Sequence, residues 1–408
     1  MTKEEKIRET LIKWKDSYGR GTVIWPPQSI GKTFLAIEII KRFSSKHPNK
    51  VIVITVPTKA LLYQWECRIK DAELNNVCKI HLYKEAIKKY TSFDLLIVDE
   101  CHNACAIEAS NLFKIPCKFI LCITATLERL DGRHIIIEQV APVIDRVSLE
   151  EAVNNKWILG YNEIKVIIKA PNMKDYNTHN YKFTRLMEFF NNDFKLAMAC
   201  LKSESLRKNM ANYKRCSLEQ VTAFTFALNK HLKARIKFVE EHASKIKIAK
   251  EIIKNKLDKK EKIILFSPKI HILDDYFTGD DYYHYHSKIK GKEANLEAFR
   301  ACSSGVLCTC DSLNLGITFS DVNNIIIICN DSSDTTKTQR IGRVLSNTTT
   351  IPEIFTLVLQ DTVDEAWYYR STKDNDYITL TEHMLEEYLK GEDVYKERIE
   401  GPVMLYSY

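Results

Sequence analysis

The sequence lacks a long uninterrupted apolar run, and this absence excludes a membrane-spanning helical protein. No window of about eighteen residues is apolar throughout, as a spanning helix requires. The N-terminal segment MTKEEKIRET is charged and has no apolar stretch, which argues against a secretory signal. We therefore expect a cytoplasmic protein, in the host cytoplasm if the source is a phage or virus, with no membrane partner.

Glycine and proline are scarce, and the cysteines lack metal-binding spacing. Only 12 Gly and 10 Pro occur among 408 residues, which excludes collagen-like and low-complexity chains. The 12 Cys include no C-x-x-C pair and no zinc-finger spacing. Because several of them, such as Cys122 and Cys329, lie inside apolar runs, we interpret the cysteines as small buried side chains in a reducing compartment.

No strong excess of either charge is present, but the small excess is local. The chain has 60 Lys+Arg and 53 Asp+Glu, for a net charge of +7. Segment 171–245 alone holds 14 Lys+Arg and 7 Asp+Glu, so the rest of the chain is neutral. A concentrated basic segment indicates a polyanionic partner more strongly than a diffuse charge does.

Apolar strand-like runs alternate with helical periodicity in two parts of the chain. VIVITVP and FDLLIVDE are typical of buried parallel strands, and similar runs recur after residue 246. The pattern predicts an α/β protein with two doubly wound parallel-sheet domains. We place the first domain at 1–165, a helical basic insertion at 166–245, the second domain at 246–376 and a C-terminal tail at 377–408.

The strongest local signal is WPPQSIGKT, which lies between a strand-like run and a helix. Backbone N–H groups at such a helix start can cradle phosphates. Lys32 would reach the β- and γ-phosphates of a nucleotide, and the Thr33 hydroxyl would ligate Mg²⁺. Pro26 replaces the usual first glycine of this pattern, so a plain strand–turn–helix is the alternative.

An acidic pair follows the apolar run LLIV, in the order Asp99, Glu100, Cys101 and His102. At the carboxyl end of a strand, such a pair serves ATP hydrolysis: Asp99 would hold Mg²⁺, and Glu100 would orient the attacking water. There are two further polar motifs. TATLERLDGR at 124–133 lies at the end of a strand-like run, and QRIGR at 339–343 lies just before a turn.

In their order and spacing these segments resemble motifs I, II, III and VI of superfamily 2 helicases and translocases. The form TATLERLDGR is similar to the branch of transcription–repair helicases, type III restriction motor subunits and phage branch-migration helicases. Further segments resemble motif Ia (57–65), motif IV (264–267) and motif V (312–318). The resemblance implies two tandem RecA-like domains, with ATP and Mg²⁺ as cofactors.

The resemblance also implies roles for individual residues. The implied nucleotide-binding residues are Pro27, Gln28, Ser29, Ile30, Gly31, Lys32 and Thr33. The implied catalytic residues are Lys32, Asp99, Glu100, Gln339, Arg340 and Arg343, with Mg²⁺ held by Thr33 and Asp99. Arg343 is the candidate arginine finger. The implied coupling residues are His102, Thr124, Thr126 and Gly316, and the implied strand contacts are Pro57, Thr58 and Lys59.

The basic segment has two interpretations. Basic grooves with stacking aromatic rings hold single strands, and we select Lys230, Lys233, Arg235 and Lys237 as candidate strand-binding residues. Alternatively, the aromatics form a helical core and the lysines are a solvated face. The aromatics concerned are Tyr176, Tyr181, Phe183, Phe189, Phe190, Phe194, Tyr213, Phe224, Phe226 and Phe238. His284 and His286 suggest a metal, but we identify no acid or cysteine partner for them from the sequence.

We therefore expect a monomeric ATP-dependent DNA helicase or translocase acting on single-stranded or branched DNA, with duplex DNA and RNA left open. Alternatives are a double-strand translocase without unwinding, an RNA helicase and a nucleic-acid-binding protein with a degenerate ATPase. Pro26 and Ser346, the latter standing where the family usually has a second arginine, favour the last alternative.

Overall fold

The chain folds into two compact units, and it first passes from one unit to the other between Asn162 and Glu163. The computed structural model describes residues 1–26, 31–127, 132–157, 160–310, 319, 321–330, 351–372 and 377–392. Each unit is built on its own sheet and has its own apolar core.

The first unit contains a parallel sheet whose strands are apolar on both faces. The strands are β1 (Arg20–Ile24), β2 (Ile52–Val56), β3 (Cys78–Leu82), β4 (Phe93–Asp99), β5 (Cys117–Thr124) and β6 (Val143–Arg146). They lie in the order β3-β2-β4-β5-β1-β6. Every residue of β2 is buried, because helices cover both faces of the sheet. The strands β4, β5 and β1 are neighbours and end at the same edge.

The helices of the first unit follow the apolar periodicity of the sequence. They are α1 (Lys3–Asp16), α2 (Lys32–Lys46), α3 (Lys59–Asp71), α4 (Tyr83–Lys89), α5 (Ile135–Val140) and α6 (Leu149–Asn154), with 3₁₀ helices at Cys101–Cys105 and Ala109–Lys114. A capping box fixes the start of α1, where the Thr2 hydroxyl accepts from the Glu5 amide and the Glu5 side chain accepts from the Thr2 amide.

A buried carboxylate joins α1 to the end of β1. Asp145 of β6 accepts hydrogen bonds from Lys6 Nζ at 2.9 Å, Lys13 Nζ at 2.7 Å and the Trp25 indole at 2.6 Å. Burial raises the pKa of Asp145, but the hydrogen bonds from Lys13, Lys6 and Trp25 outweigh it and hold that pKa below its ordinary value. The network fixes Trp25, the first residue of the segment WPPQSIGKT (25–33), which we name the phosphate-loop segment.

The middle of the chain is helical, and part of it forms a separate small core. Its helices are α7 (Lys174–Phe189), α8 (Phe194–Lys202), α9 (Glu204–Lys214) and α10 (Leu218–Glu240). Phe183 and Phe190 are buried in this core, whereas Tyr181, Tyr213 and Phe226 are exposed. Neither interpretation of the aromatics therefore applies to all of them.

The second unit contains the larger sheet. Its strands are β7 (Asn162–Ile168), β8 (Lys262–Phe266), β9 (Tyr282–Tyr285), β10 (Gly305–Thr309), β11 (Asn324–Ile327), β12 (Glu353–Leu359) and β13 (Ile378–Thr381), in the order β13-β7-β12-β11-β8-β10-β9. Its helices are α11 (Ala243–Asp258), α12 (Ile270–Tyr276), α13 (Lys292–Ala301), α14 (Val363–Thr372) and α15 (Glu382–Lys390).

Two strands of this sheet come from parts of the chain that were not expected in the second domain. Residues 163–165, which we expected in the first domain, lie in β7, and β13 comes from the expected C-terminal tail. β7 and β13 pair in parallel, with Ile164 opposite Ile378. Because β13 has only four residues, its pattern is too short to signal a strand.

The architecture confirms the predicted fold class of two parallel-sheet α/β domains. Several cysteines lie in the cores, and burial raises the pKa of the Cys78 thiol to about 12. No helix within the described residues combines the length and the apolar character needed to cross a bilayer.

Candidate functional site

Three neighbouring strand ends place the sequence motifs at one edge of the first sheet. Ile24 at the end of β1 lies opposite Thr124 at the end of β5, and Asp99 at the end of β4 lies opposite Ile123. Since ligands of parallel α/β sheets bind outside the carboxyl ends of the strands, this edge is where a nucleotide site is expected.

The phosphate-loop segment ends at the start of α2. Gly31 has a φ of +109°, which favours glycine, and an added Cβ would lie only 3.1 Å from the Ile7 side chain. Both the backbone conformation and the limited space therefore favour a glycine at this position. The Lys32 ammonium donates to the carbonyls of Trp25 at 3.0 Å and Pro26 at 2.6 Å. Lys32 and Thr33 thus open α2, where the helix dipole favours an anion. The predicted residues Pro27, Gln28, Ser29 and Ile30 lie outside the described residues.

Asp99 is a buried carboxylate in a strongly polar setting. Its Oδ2 accepts from the Trp65 indole at 2.8 Å, and its Oδ1 accepts from the Glu100 amide at 2.9 Å. Burial raises the pKa of Asp99 to about 6, and the charge of Glu100 acts in the same direction. The Trp65 hydrogen bond and the Lys32 charge oppose this rise. A cation bound beside Asp99 would oppose both the burial and the charge of Glu100, so the site favours a positive ion.

Glu100 has an unusual backbone conformation. Its φ is +49°, in the left-handed region that residues other than glycine rarely adopt. The Tyr83 hydroxyl hydrogen-bonds the carbonyls of Asp99 and Glu100 and so supports this turn. Glu100 Oε2 is buried and makes no hydrogen bond with any described residue. Because no described residue donates a hydrogen bond to it, this Glu100 oxygen can accept one from a water molecule.

A hydrogen-bonded link joins the acidic motif to the TAT motif. His102 Nδ1 lies 2.8 Å from Thr124 Oγ1, and that hydroxyl lies 2.7 Å from the Thr126 carbonyl oxygen. Because the carbonyl can only accept, the single hydroxyl proton of Thr124 goes to Thr126, and His102 must donate from Nδ1. His102 Nδ1 also lies 3.5 Å from Glu100 Oε2. The structure thus brings His102, Thr124 and Thr126 together next to Glu100.

Two residues of α3 that sequence reasoning missed also reach the site. Trp65 donates to Asp99, and three residues later Arg68 donates from Nη1 to Thr33 Oγ1. Their i,i+3 spacing places both on one face of the helix, and this spacing is the signal that could have found them. The Thr58 hydroxyl accepts from the Leu61 amide at 3.5 Å and caps α3. Pro57 is half-buried and Lys59 is exposed beside this cap.

The predicted strand-binding residues of α10 separate into two environments. Lys230, Lys233 and Lys237 are exposed and lie on one helix face, which we name the lysine face. Phe226, four residues before Lys230, lies on the same face and is 53% exposed. Arg235 instead is buried, with its guanidinium 4.2 Å from the ring centroid of Phe183. The structure therefore places Arg235 in the packing of the helices, away from the lysine face.

A second set of lysines has the same spacing. Lys247, Lys250 and Lys254 of α11 are exposed, and we name them the α11 lysines. Lys247 lies 3.6 Å from Glu251, as Lys237 lies 3.8 Å from Glu241. The two sets thus match in number, spacing and acidic neighbour.

The predicted contributions of the second domain lie outside the described residues. They are Gly316, Gln339, Arg340 and Arg343, and Ser346, which stands where the family usually has a second arginine, lies outside the described residues as well. Their roles remain predictions from the sequence.

Two family profiles match the chain. Residues 2–90 match the family described as "Type III restriction enzyme, res subunit". Residues 244–347 match the family described as "Helicase conserved C-terminal domain". The first match contains Lys32 and Thr33, and the second contains Arg343. A comparison with curated protein sequences gave no match.

Several solved structures share the fold. The Hef helicase domain of Pyrococcus furiosus has a TM-score of 0.54 at 14% identity, and the match covers 89% of this chain and 97% of that one. Dbp5 of S. cerevisiae bound to RNA and ADP BeF3 has a TM-score of 0.60 at 11% identity, with 94% and 91% covered. The type ISP restriction-modification enzyme LlaBIII bound to DNA has a TM-score of 0.53 at 13% identity, with 90% and 29% covered. At these identities the likeness concerns the fold.

Proposed function

We propose that the chain is an ATP-hydrolysing helicase of superfamily 2, as its two family matches indicate, and that it uses this hydrolysis to move along or remodel DNA. One observation carries the proposal: the ends of β1, β4 and β5 bring Lys32, Asp99 and Glu100 to one sheet edge, where His102 hydrogen-bonds Thr124. A lysine that would bind phosphate, a buried carboxylate and a second carboxylate with an oxygen that no described residue hydrogen-bonds form the set that hydrolysis requires.

Each residue would have a separate role in hydrolysis. Lys32 would hold the β- and γ-phosphates at the start of α2, and Thr33 with Asp99 would ligate Mg²⁺. Mg²⁺, when bound, neutralises charge on the phosphates. Glu100 would accept a hydrogen bond from the attacking water through Oε2, which is buried and makes no hydrogen bond with the described residues. These donor types fit the group, because Mg²⁺ prefers oxygen ligands.

We further propose that the His102–Thr124 link transmits the nucleotide state. A change at Glu100 would reach His102 Nδ1 across 3.5 Å and the TAT motif through the Thr124 hydroxyl. From the second domain, Gln339 and Arg340 would contact the nucleotide, Arg343 would act as the arginine finger and Gly316 would take part in coupling. These four assignments rest on the resemblance of their motifs to those of the family.

The nucleic acid would contact both units. In the first unit Pro57, Thr58 and Lys59 are the proposed strand contacts. In the second, the lysine face offers three cations to phosphates, and Phe226 offers an exposed ring on which a base can stack. Phosphate contacts supply most of the affinity in such complexes and make it depend on salt. Arg235 would support this surface by packing against Phe183.

The preference for DNA is tested with matched oligonucleotides. ATP hydrolysis is measured with single-stranded DNA and with single-stranded RNA of the same sequence, at equal salt. Stronger stimulation by DNA supports the proposal, and stronger stimulation by RNA supports an RNA helicase instead. Strand displacement on a forked duplex then separates unwinding from translocation alone. A protein that binds DNA but hydrolyses no ATP under any of these conditions would be a binding protein with a degenerate ATPase.

A further inference from the structure

The second unit carries two imidazoles and a carboxylate at the edge of its sheet. His284 lies in the edge strand β9, and His286 follows it directly after the strand ends. Alternation along an extended segment places residues two apart on the same face, and the two ring centroids are 5.7 Å apart. Asp274, from α12, supplies the acidic partner that the sequence analysis did not find.

The ligand atoms of the three side chains converge. Asp274 Oδ1 lies 3.0 Å from His286 Nε2 and 3.4 Å from His284 Nδ1. All three atoms lie within 4.8 Å of one another. Two ligands bound at about 2.1 Å to a tetrahedral ion are roughly 3.4 Å apart. Both distances from the carboxylate therefore suit a shared ion without a large movement.

The hydrogen bonding of His284 engages one ring nitrogen and points the other toward the cluster. His284 Nε2 lies 2.9 Å from the Phe277 carbonyl oxygen, which can only accept, so the Nε2 nitrogen carries the proton. His284 Nδ1, the other ring nitrogen, faces Asp274 Oδ1, the same oxygen that His286 Nε2 hydrogen-bonds at 3.0 Å. Nδ1 is buried and makes no hydrogen bond within the described part of the chain. A metal ion bound between these side chains would use Nδ1 of His284, Nε2 of His286 and the Asp274 carboxylate as its ligand atoms.

We propose that Asp274, His284 and His286 form a binding site for a divalent transition-metal ion of the zinc class. Two imidazoles and one carboxylate suit Zn²⁺, whereas Mg²⁺ prefers oxygen ligands alone. The hydrogen bond from His284 to the Phe277 carbonyl is also the outer contact that metal-bound histidines usually make. Three protein ligands leave a fourth position for water or another ligand.

The surroundings of the cluster support an ordered and accessible site. The side-chain amide of Asn295 donates to the backbone carbonyl of His284 at 2.9 Å, and the Thr309 hydroxyl donates to that of Tyr285 at 2.9 Å. These hydrogen bonds fix the backbone of β9. His286 is 1% exposed, but the Asp274 side chain is 39% exposed and gives the ion a path from solvent. A bound ion would tie α12 to the edge strand. The proposal does not depend on the nucleic acid that the protein uses.

The test compares zinc binding by three forms of the full-length untagged protein. Each form is stripped with a chelator, dialysed against Zn²⁺ in the presence of excess Mg²⁺ and analysed for metal by atomic emission. Asp274→Asn removes one ligand at an exposed position and should keep the fold. The matched control is His383→Gln, since His383 lies 3.5 Å from Glu387 as an exposed histidine–carboxylate pair with no third ligand in the described cluster.

We expect the wild type and His383→Gln to bind one Zn²⁺ per chain. The affinity of Asp274→Asn for Zn²⁺ should be at least tenfold lower. Because the chain has 12 Cys, the difference between variants decides the outcome. Zinc binding that is absent in the wild type, or equal in the wild type and Asp274→Asn, would overturn the proposal. Co²⁺ gives a second readout: the wild type should show visible d–d bands without thiolate charge transfer, and a thiolate band unchanged in Asp274→Asn would contradict the assigned ligands.

Discussion

The hydrogen bond from Trp65 to Asp99 predicts a measurable pH effect. The indole lies 2.8 Å from a buried carboxylate whose pKa burial has raised to about 6. A hydrogen bond to a charged group contributes about 1.5–3 kcal/mol, and about 1.4 kcal/mol corresponds to one pKa unit. Trp65→Phe keeps an aromatic ring and removes the donor. We therefore expect the pKa of Asp99 to rise by roughly one to two.

The sign of the effect follows from the form that binds Mg²⁺. In the proposed site, Asp99 would ligate Mg²⁺ only as the ionised carboxylate, and a higher pKa reduces the ionised fraction at any given pH. The acidic limb of the pH profile for ATP hydrolysis should therefore move to higher pH by about one to two units. Because bound Mg²⁺ itself favours the ionised form, the shift should be largest when Mg²⁺ is below saturation.

The assay is ATP hydrolysis between pH 5 and 9 at low Mg²⁺. Trp14→Phe is the control, since the Trp14 indole donates to the backbone carbonyl of Ile120 at 3.0 Å and reaches no carboxylate. Thermal melting of both variants shows whether the smaller ring alters stability. An acidic limb that stays at the wild-type pH in Trp65→Phe would refute the role given to this hydrogen bond.

Two further predictions concern coupling and strand binding. Thr124→Val should lower the nucleic-acid stimulation of ATP hydrolysis about tenfold, which corresponds to the loss of a hydrogen bond of about 1.4 kcal/mol. Adding His102→Ala to this variant should lower the stimulation no further. Additive losses from the two substitutions would contradict the link. Replacing the lysine face with alanines should weaken DNA binding and reduce the slope of log affinity against log salt by about two, as measured by fluorescence anisotropy. The same replacement of the α11 lysines should change neither, and equal effects of the two sets would return the lysine face to a plain solvated surface.

The fold was predictable because its strands are long apolar runs. Runs such as those of β2 and β4 are buried on both faces, and polar motifs at their ends then fall on one sheet edge. The two family matches confirm the resemblance to superfamily 2 helicases. The positions of Lys32, Asp99 and Glu100 at one edge follow from the same local pattern.

Contacts between distant segments were not predictable in this way. β13 is four residues long and pairs with β7, which lies more than two hundred residues earlier in the chain. The contacts of Trp65 with Asp99 and of Arg68 with Thr33 could not be predicted from their positions in a helix, because the fold alone brings these residues together. Asp274 lies in α12, and the segment 277–281 separates that helix from β9, so only the fold brings the carboxylate to within 3.4 Å of His284.

The central claim is that the first-unit site hydrolyses ATP and that nucleic acid stimulates this hydrolysis. The most direct measurement compares the wild type with Glu100→Gln, with and without single-stranded DNA, alongside nucleotide binding by fluorescence. We expect DNA to stimulate the wild type, and Glu100→Gln to lose at least about 100-fold in rate while it still binds ATP. A wild type without stimulated hydrolysis, or a Glu100→Gln variant that hydrolyses ATP at the wild-type rate, would contradict the claim.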